Sequence, residues 1–202
     1  MQLVLASQSP SRLMILRNAG VEPVVKPAHI DEQSLIDDLQ EAPPADVVTA
    51  LARAKAEAIL PGVEGEAIVV GCDSMLLLDG ELQGKPHTVE ETVRRWKAQR
   101  GRTAELITGH AVAHVGETVT WYEDAVATAI HFGDVSDKDI EAYARSGEPL
   151  ECAGAFTLEA LGGWFIDAID GDQTSVIGLS LPLLRRALYS YGLDASSVWQ
   201  QQ

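Results

Sequence analysis

The strongest constraint on the fold lies at the start of the chain, where a short apolar segment runs directly into a helix-start signal. Residues 3–6 are Leu-Val-Leu-Ala, and Ser9 and Pro10 follow in the order expected for an N-cap and a first helical position. Apolar residues then recur at helical spacing as far as Gly20, which marks the helix end. The pattern predicts a buried strand that leads straight into a helix.

The rest of the chain mixes strand and helix signals without a strict βαβ alternation. Helices are predicted from an N-cap at Asp46, from a capping box at Thr88 and Glu91, from Ser136 and from Leu181, and strands on both sides of turns at Asp79-Gly80 and Gly116-Glu117. This mixture predicts an α/β fold with a mixed, twisted sheet. The lack of a long linker favours a single domain over residues 1–202, with two lobes and a cleft between them.

Charge and composition narrow the function classes. The formal net charge of -15 argues against binding of a nucleic acid polymer, because phosphate contacts need a surplus of Lys and Arg. The apolar runs are too short for a membrane span, and the N-terminus lacks the zones of a signal peptide. The presence of only two cysteines, Cys72 and Cys152, argues against a disulfide framework and favours a reducing cytoplasm.

The segment from Ser7 to Arg12 has two interpretations. Ser9 and Pro10 are explained by helix capping, with Arg12 exposed to solvent. Capping does not explain Ser7, Ser11 or Arg12, since a cation is unfavourable at the positive end of a helix dipole unless an anion lies between them. A strand that feeds a helix N-terminus rich in hydroxyls and a guanidinium suits a phosphate or carboxylate. Both interpretations stay open at this point.

Four further charged residues have a structural and a chemical interpretation. Asp73 ends a buried-type strand, so it either caps a turn or acts as a general base or metal ligand. Lys55 lies in an Ala-rich helix and Lys85 in Gly-Lys-Pro after a hairpin; each is either solvated or a phosphate donor. Glu32 lies in a polar segment, residues 29–35, predicted as a loop, where it is either solvated or holds Mg²⁺. Together these residues suit a metal-assisted attack on a phosphate.

The order of the motifs makes the sequence resemble the Maf family of nucleoside triphosphate pyrophosphatases, housecleaning enzymes related in fold to the inosine triphosphate pyrophosphatases. The resemblance runs nearly end to end. It rests on LASQSPSR, Asp31-Glu32, ARAKA around Lys55, GCDS at Asp73, GKP at Lys85, TGHAV from Thr108, GEPLECAGAF from Gly147 and VIGLSLPLL from Val176.

The resemblance implies a mixed sheet flanked by helices, two lobes with a deep cleft, and hydrolysis of a nucleoside triphosphate to a monophosphate and pyrophosphate. It implies Mg²⁺ or Mn²⁺ as the cofactor, a homodimer and a cytoplasmic location. The implied site residues are Asp73, Lys55 and Lys85 for catalysis, Ser7, Arg12 and Glu159 for substrate binding, and Glu32 and Asp73 for the metal.

The chain departs from parts of the family pattern. Ser11 stands where the family often has arginine. Glu151-Cys152 stands where the branch that prefers dTTP and UTP has Asp-Lys, and Glu159 where that branch has glutamine. The branch that prefers 7-methyl-GTP has Cys and Glu at the last two of these positions, and a carboxylate can accept hydrogen bonds from the guanine N1–H and N2–H₂. These positions favour a methylated guanine nucleotide.

An alternative from another class is a nucleotide-binding regulator of septum formation without significant turnover. The same site could bind a nucleotide and signal through a partner surface. The full set of carboxylates and lysines favours hydrolysis over this alternative.

Overall fold

The computed structural model describes residues 1–200, and the last two residues of the domain predicted over 1–202 lie outside this range. The strands are β1 (Gln2–Leu5), β2 (Val24–Val25), β3 (Ala67–Leu78), β4 (Glu81–Gln83), β5 (Thr103–Val115), β6 (Val119–Phe132) and β7 (Ile166–Asp170). The helices are α1 (Pro10–Asn18), α2 (Glu32–Asp38), α3 (Pro44–Ile59), α4 (Val89–Gln99), α5 (Asp137–Arg145), α6 (Gln173–Ile177) and α7 (Leu181–Ser190).

One seven-stranded sheet has the order β2-β1-β3-β5-β6-β7, with β4 paired to β3. The β1 strand is parallel to β2 and β3, whereas β3 and β4, and β6 and β7, are antiparallel. The predicted α/β fold with a mixed sheet and flanking helices is therefore confirmed.

The chain divides into two compact units, and β3, β5 and β6 contribute residues to both. The first unit contains Met1–Asp73, Thr108–Val126 and the chain from Gly178 onward. The second unit contains Ser74–Ile107 and Ala127–Ile177. The predicted cleft between two lobes stays a prediction.

In the first unit, β1 is a buried parallel strand. Leu3, Val4 and Leu5 are at most 2% exposed, and Val4 pairs with Val24 on one side and Val69 on the other. Parallel strands covered on both faces have continuous apolar sequences, which explains why Leu3–Ala6 does not alternate with polar residues.

Helix α3 lies unusually close to β3 because Gly71 has no side chain. A Cβ placed on Gly71 would lie 2.1 Å from the carbonyl oxygen of Ala52 and 3.0 Å from the Cβ of Ala56. The small residues of the Ala-rich segment are therefore needed where the helix backbone approaches the strand. This approach fixes the height of the neighbouring helix residues above the sheet.

Two predictions in this region are wrong. Helix α3 begins at Pro44 rather than after Asp46, because Pro44 occupies the first turn, where its missing N–H costs nothing. The segment predicted as a loop over residues 29–35 is helical from Glu32 onward, where it begins α2, and the N-cap Asp31 accepts a 3.0 Å hydrogen bond from the N–H of Ser34. A side-chain cap of this kind stabilises a short helix that propensity alone does not support.

The second unit is built around Trp96 of α4. The indole is fully buried, and its Nε1–H donates to the carbonyl oxygen of Ala155 at 2.7 Å. Its ring packs edge-on against Phe132, Tyr143 and Phe165, with centroids 5.4–5.7 Å apart. Burial of a tryptophan requires such a polar partner for its N–H, so the hydrogen bond fixes the orientation of the ring.

Several predicted boundaries agree with the structure. Thr88 caps α4 by accepting from the N–H of Glu91, and Ser136 caps α5 in the same manner. Asp79 and Gly80 form the β3–β4 turn with φ angles of 54° and 83°, as a two-residue hairpin requires. None of the helices formed by residues 1–200 is both long and apolar enough to span a membrane.

Replacing Glu91 with Gln should lower stability at neutral pH, and the difference from the wild type should vanish in acid. Hydrogen bonds from Arg94 and Arg95 lower the pKa of Glu91 from 4.5 to about 2. A carboxylate with a lowered folded-state pKa contributes stability above its unfolded pKa and loses that contribution as the pH falls through the folded value. The window here is therefore pH 4.5 to about 2.

Urea unfolding of the two proteins across that window measures the effect. The Gln variant retains the N-cap, because the bond to Thr88 Oγ1 is donated by the backbone N–H of residue 91. A difference in unfolding free energy that is equal at every pH would contradict the prediction.

Candidate active site

A buried ion pair joins α3 to β3 in the first unit. Asp73 lies in β3 and Lys55 on α3, and their side chains are only 9% and 12% exposed. Lys55 Nζ lies 2.5 Å from Asp73 Oδ1. The interpretation of Lys55 as an exposed helix-face lysine is therefore wrong, because its ammonium group is held against the buried carboxylate of Asp73.

Glu32 contacts the same ammonium group. It is the first residue of α2, and its Oε1 lies 3.0 Å from Lys55 Nζ with half of its side chain exposed. Lys55 thus bridges one buried and one accessible carboxylate. The three residues predicted separately from sequence meet at one point.

The environment of Asp73 favours a proton-accepting role. Burial raises the pKa of Asp73, and the opposing charges of Lys55 and Arg12 do not cancel this effect. A carboxylate whose pKa lies above its usual range is better matched to general-base work than an exposed one. The adjacent Cys72 is fully buried, which raises the pKa of its thiol to about 11 and leaves it protonated.

The segment between β1 and α1 combines capping with a held guanidinium. Ser9 caps α1 by accepting from the N–H of Arg12. Arg12 Nη1 donates to Ser7 Oγ at 3.2 Å, and Arg12 Nε donates to the carbonyl oxygen of Gly178 at 2.8 Å. Arg12 is half-buried, so the interpretation that leaves it solvated is wrong. Its guanidinium is held beside a helix N-terminus, as an anion site requires.

The carboxylate pair suits a hard divalent cation. Glu32 and Asp73 offer oxygen donors that already converge on one cationic group, Lys55 Nζ. Mg²⁺ is commonly held by one or two carboxylates together with substrate phosphates and water, so two protein ligands are sufficient. Within residues 1–200, no group of three or more His, Cys, Asp or Glu forms a metal cage.

Lys85 and Glu159 belong to the second unit. Lys85 is half-exposed, with Nζ 3.2 Å from Glu151 Oε2, and His87 Nδ1 lies 3.2 Å from the other oxygen of that carboxylate. Glu159 is exposed, and its Oε2 accepts a hydrogen bond from the N–H of Leu158. The predicted roles of Lys85 and Glu159 stay predictions.

Sequence reasoning missed residues that hold the predicted ones in place. Gly178 supplies the carbonyl acceptor for Arg12 from 166 positions away, and His87 pairs with Glu151. Glu148 accepts hydrogen bonds from a loop that carries Glu159. Gly178 and Glu148 lie in motifs noted in the sequence, but their partners could not be inferred from spacing.

Known proteins are similar along the whole chain. A family model described as "Maf-like protein" matches residues 2–191. A "Nucleoside triphosphate pyrophosphatase" of Corynebacterium efficiens is 68% identical over 199 residues, covering 98% of this chain and 99% of that protein. Proteins of the same name from Corynebacterium aurimucosum and Corynebacterium diphtheriae are 67% and 62% identical, covering 100% and 98% of this chain, and 100% and 98% of their own lengths.

Among solved structures, the Ham1 protein of Staphylococcus aureus is 14% identical with a TM-score of 0.39, covering 66% of this chain and 73% of that one.

Replacing Lys55 with Met should strongly destabilise the protein, because it leaves Asp73 buried without a counter-charge. Removing one partner of a buried pair costs about 3–5 kcal/mol. The pKa of Asp73 should rise further, so the loss should be larger at about pH 8 than at about pH 5, where a protonated Asp73 is tolerated. Urea unfolding at the two pH values measures this.

The double variant Lys55→Met, Asp73→Asn should lose less stability than the sum of the single variants. Arg17→Met is the matched control, since it breaks the solvent-exposed pair with Glu22 and should change stability little. Equal effects of Lys55→Met and Arg17→Met would show that the Lys55 pair is not a buried one in solution.

Proposed function

Because the chain belongs to the Maf family, we propose that it hydrolyses nucleoside triphosphates to the monophosphate and pyrophosphate. The observation that carries this proposal is that the carboxylates of Glu32 and Asp73 both contact the ammonium group of Lys55. Arg12 lies close enough to act on the pKa of Asp73. The relatives named nucleoside triphosphate pyrophosphatase support the same activity.

In the proposed reaction, Asp73 accepts a proton from the attacking water. Its position against Lys55 keeps the carboxylate oriented, and its burial raises its pKa toward the working range of a base. Glu32 and Asp73 would hold Mg²⁺ or Mn²⁺, which supplies charge neutralisation at the phosphates when bound.

The cations are proposed to stabilise charge on the phosphoryl group. In this proposal, the ammonium group of Lys55 donates hydrogen bonds to the phosphoryl oxygens. Arg12 and Ser7 present further hydrogen-bond donors beside the N-terminus of α1. Lys85 is proposed as a further phosphate donor on the strength of the Gly-Lys-Pro motif. Its exposed pairing with Glu151 would cost little to exchange for a phosphate contact.

We further propose a preference for 7-methyl-GTP, in which Glu159 accepts from the guanine edge and Cys152 lies nearby. The exposed carboxylate of Glu159 is accessible to a ligand. The homodimer and the cytoplasmic location implied by the family stay predictions.

Asp73→Asn should nearly abolish pyrophosphate release, by at least about 10²-fold, since a general base of this kind contributes that much. The measurement uses a panel of nucleoside triphosphates with Mg²⁺ or Mn²⁺ and scores pyrophosphate against orthophosphate. The wild type should release pyrophosphate and monophosphate in equal amounts.

Near-wild-type turnover by the Asn variant would remove Asp73 from the mechanism. Orthophosphate release by the wild type would refute a pyrophosphatase. Tight nucleotide binding without any product would instead favour the regulator of septum formation. Circular dichroism of the variant checks that the fold is intact.

Arg12→Ala should lower kcat/KM for all nucleoside triphosphates by a similar factor, because its contact is with phosphate and not with the base. Ser9→Ala is the matched control: loss of the cap should cost about 1 kcal/mol, close to the roughly 1 kcal/mol expected for the Arg12 hydrogen bond to Gly178. The two variants should therefore melt alike but differ in kcat/KM. If the loss in Arg12→Ala depends on the base, or if Ser9→Ala loses as much, the guanidinium does not hold the triphosphate.

A further inference from the structure

Glu148 is the most heavily hydrogen-bonded carboxylate described in the second unit, and neither capping nor an ion pair accounts for it. Its Oε1 accepts from Thr157 Oγ1 at 2.5 Å, from the N–H of Gly162 at 3.0 Å and from Tyr143 Oη at 3.1 Å. Its Oε2 accepts from the N–H of Leu161 at 3.1 Å. All of these donors are uncharged, so the carboxylate has no counter-charge among them.

Three of the donors belong to one loop, residues 157–162, at its two ends. Thr157 begins the loop, and Leu161 and Gly162 end it. The ends approach so closely that a Cβ on Gly162 would lie 2.4 Å from the carbonyl oxygen of Thr157. One carboxylate thus closes the loop, and Glu159 lies inside it.

The same residue also holds Cys152. The thiol of Cys152 donates to the main-chain carbonyl of Glu148 at 3.4 Å. Burial first, and then the negative charges of Glu159 and Glu148, raise the pKa of Cys152 to about 11. Cys152 and Glu159 therefore lie within electrostatic reach of each other, and Glu148 contacts the segments that carry both.

The charge state of Glu148 suits this role. Partial burial acts to raise its pKa, but the hydrogen bonds from Thr157, Gly162, Leu161 and Tyr143 outweigh burial and lower it. The group is ionised at neutral pH, so both oxygens are acceptors. A neutral amide at this position would turn one acceptor into a donor that opposes an N–H.

We infer that Glu148 is a positioning residue that sets base selectivity, by holding Glu159 and Cys152 in one fixed arrangement. The inference rests on the proposed function, in which these two side chains recognise the base. Glu148 itself touches neither the triphosphate nor the reacting atoms in this proposal. A hydrogen-bonding site discriminates between bases only when its acceptors are held rigidly against the ligand edge.

The test uses Glu148→Gln and, as a second variant that keeps the carboxylate, Thr157→Val. The full-length proteins are assayed with 7-methyl-GTP and UTP, and amide hydrogen exchange is followed in residues 157–162. Both variants should reduce the ratio of kcat/KM for 7-methyl-GTP over UTP by at least about tenfold. Exchange in the loop should accelerate in both.

Ile130→Val is the matched control for stability. It truncates a fully buried core residue of the same unit that is not among the hydrogen-bond donors to Glu148, and should cost about 0.5–1.5 kcal/mol. Its selectivity ratio should equal that of the wild type. The inference is overturned if both Glu148→Gln and Thr157→Val keep the selectivity ratio of the wild type and only melt at a lower temperature. Glu148 would then have a structural role alone.

The assay separates failure of the inference from failure of the proposed function. A wild type that releases no pyrophosphate from any triphosphate refutes the proposed function and the inference with it. A wild type without preference between the two nucleotides refutes the proposed 7-methyl-GTP preference and the inference with it, but not the pyrophosphatase activity. A selective wild type with selective variants refutes the inference alone. Hydrogen exchange reports on the loop in every case.

Discussion

The site in the first unit depends on the close approach of α3 to β3. Gly71 admits the carbonyl of Ala52 to a distance that no side chain would allow, and this contact brings Lys55 against Asp73. The helix must be Ala-rich for the same reason. An ionised Asp73 is tolerable in this buried position only beside a cation, so packing and electrostatics are satisfied by a single arrangement.

Two further charged residues, Glu32 and Arg12, lie near the pair of Lys55 and Asp73. The site therefore has two cationic and two anionic side chains. Lys55 is shared between Asp73 and Glu32, and Arg12 lies close enough to oppose the rise in the pKa of Asp73. Arg12 is also tied to Gly178, so its guanidinium is held before any ligand arrives. Prepared donors of this kind are effective because they need not reorganise when charge develops on a phosphate.

The second unit combines a rigid core with a loop closed by hydrogen bonds. Trp96 and its aromatic neighbours fix α4 and α5, and Tyr143 of α5 reaches from this core to Glu148. The loop that carries Glu159 is thus connected through Glu148 to the aromatic core of the unit. Such a connection gives an exposed carboxylate a defined position without burying it.

The sequence alone was enough to predict much of the local structure and the family. Capping at Ser9, Thr88 and Ser136 and the turn at Asp79-Gly80 follow from interactions within a few residues, and the ordered motifs identified the Maf family. It failed for α2 and for the start of α3, where an Asp cap and a first-turn proline outweighed weaker signals. The burial of Lys55 against Asp73 and the hydrogen bond from Arg12 to Gly178 could not be predicted from sequence and became visible in the three-dimensional structure. These partners lie 18 and 166 positions apart, and the packing of helix on strand, which no local pattern encodes, brings them together.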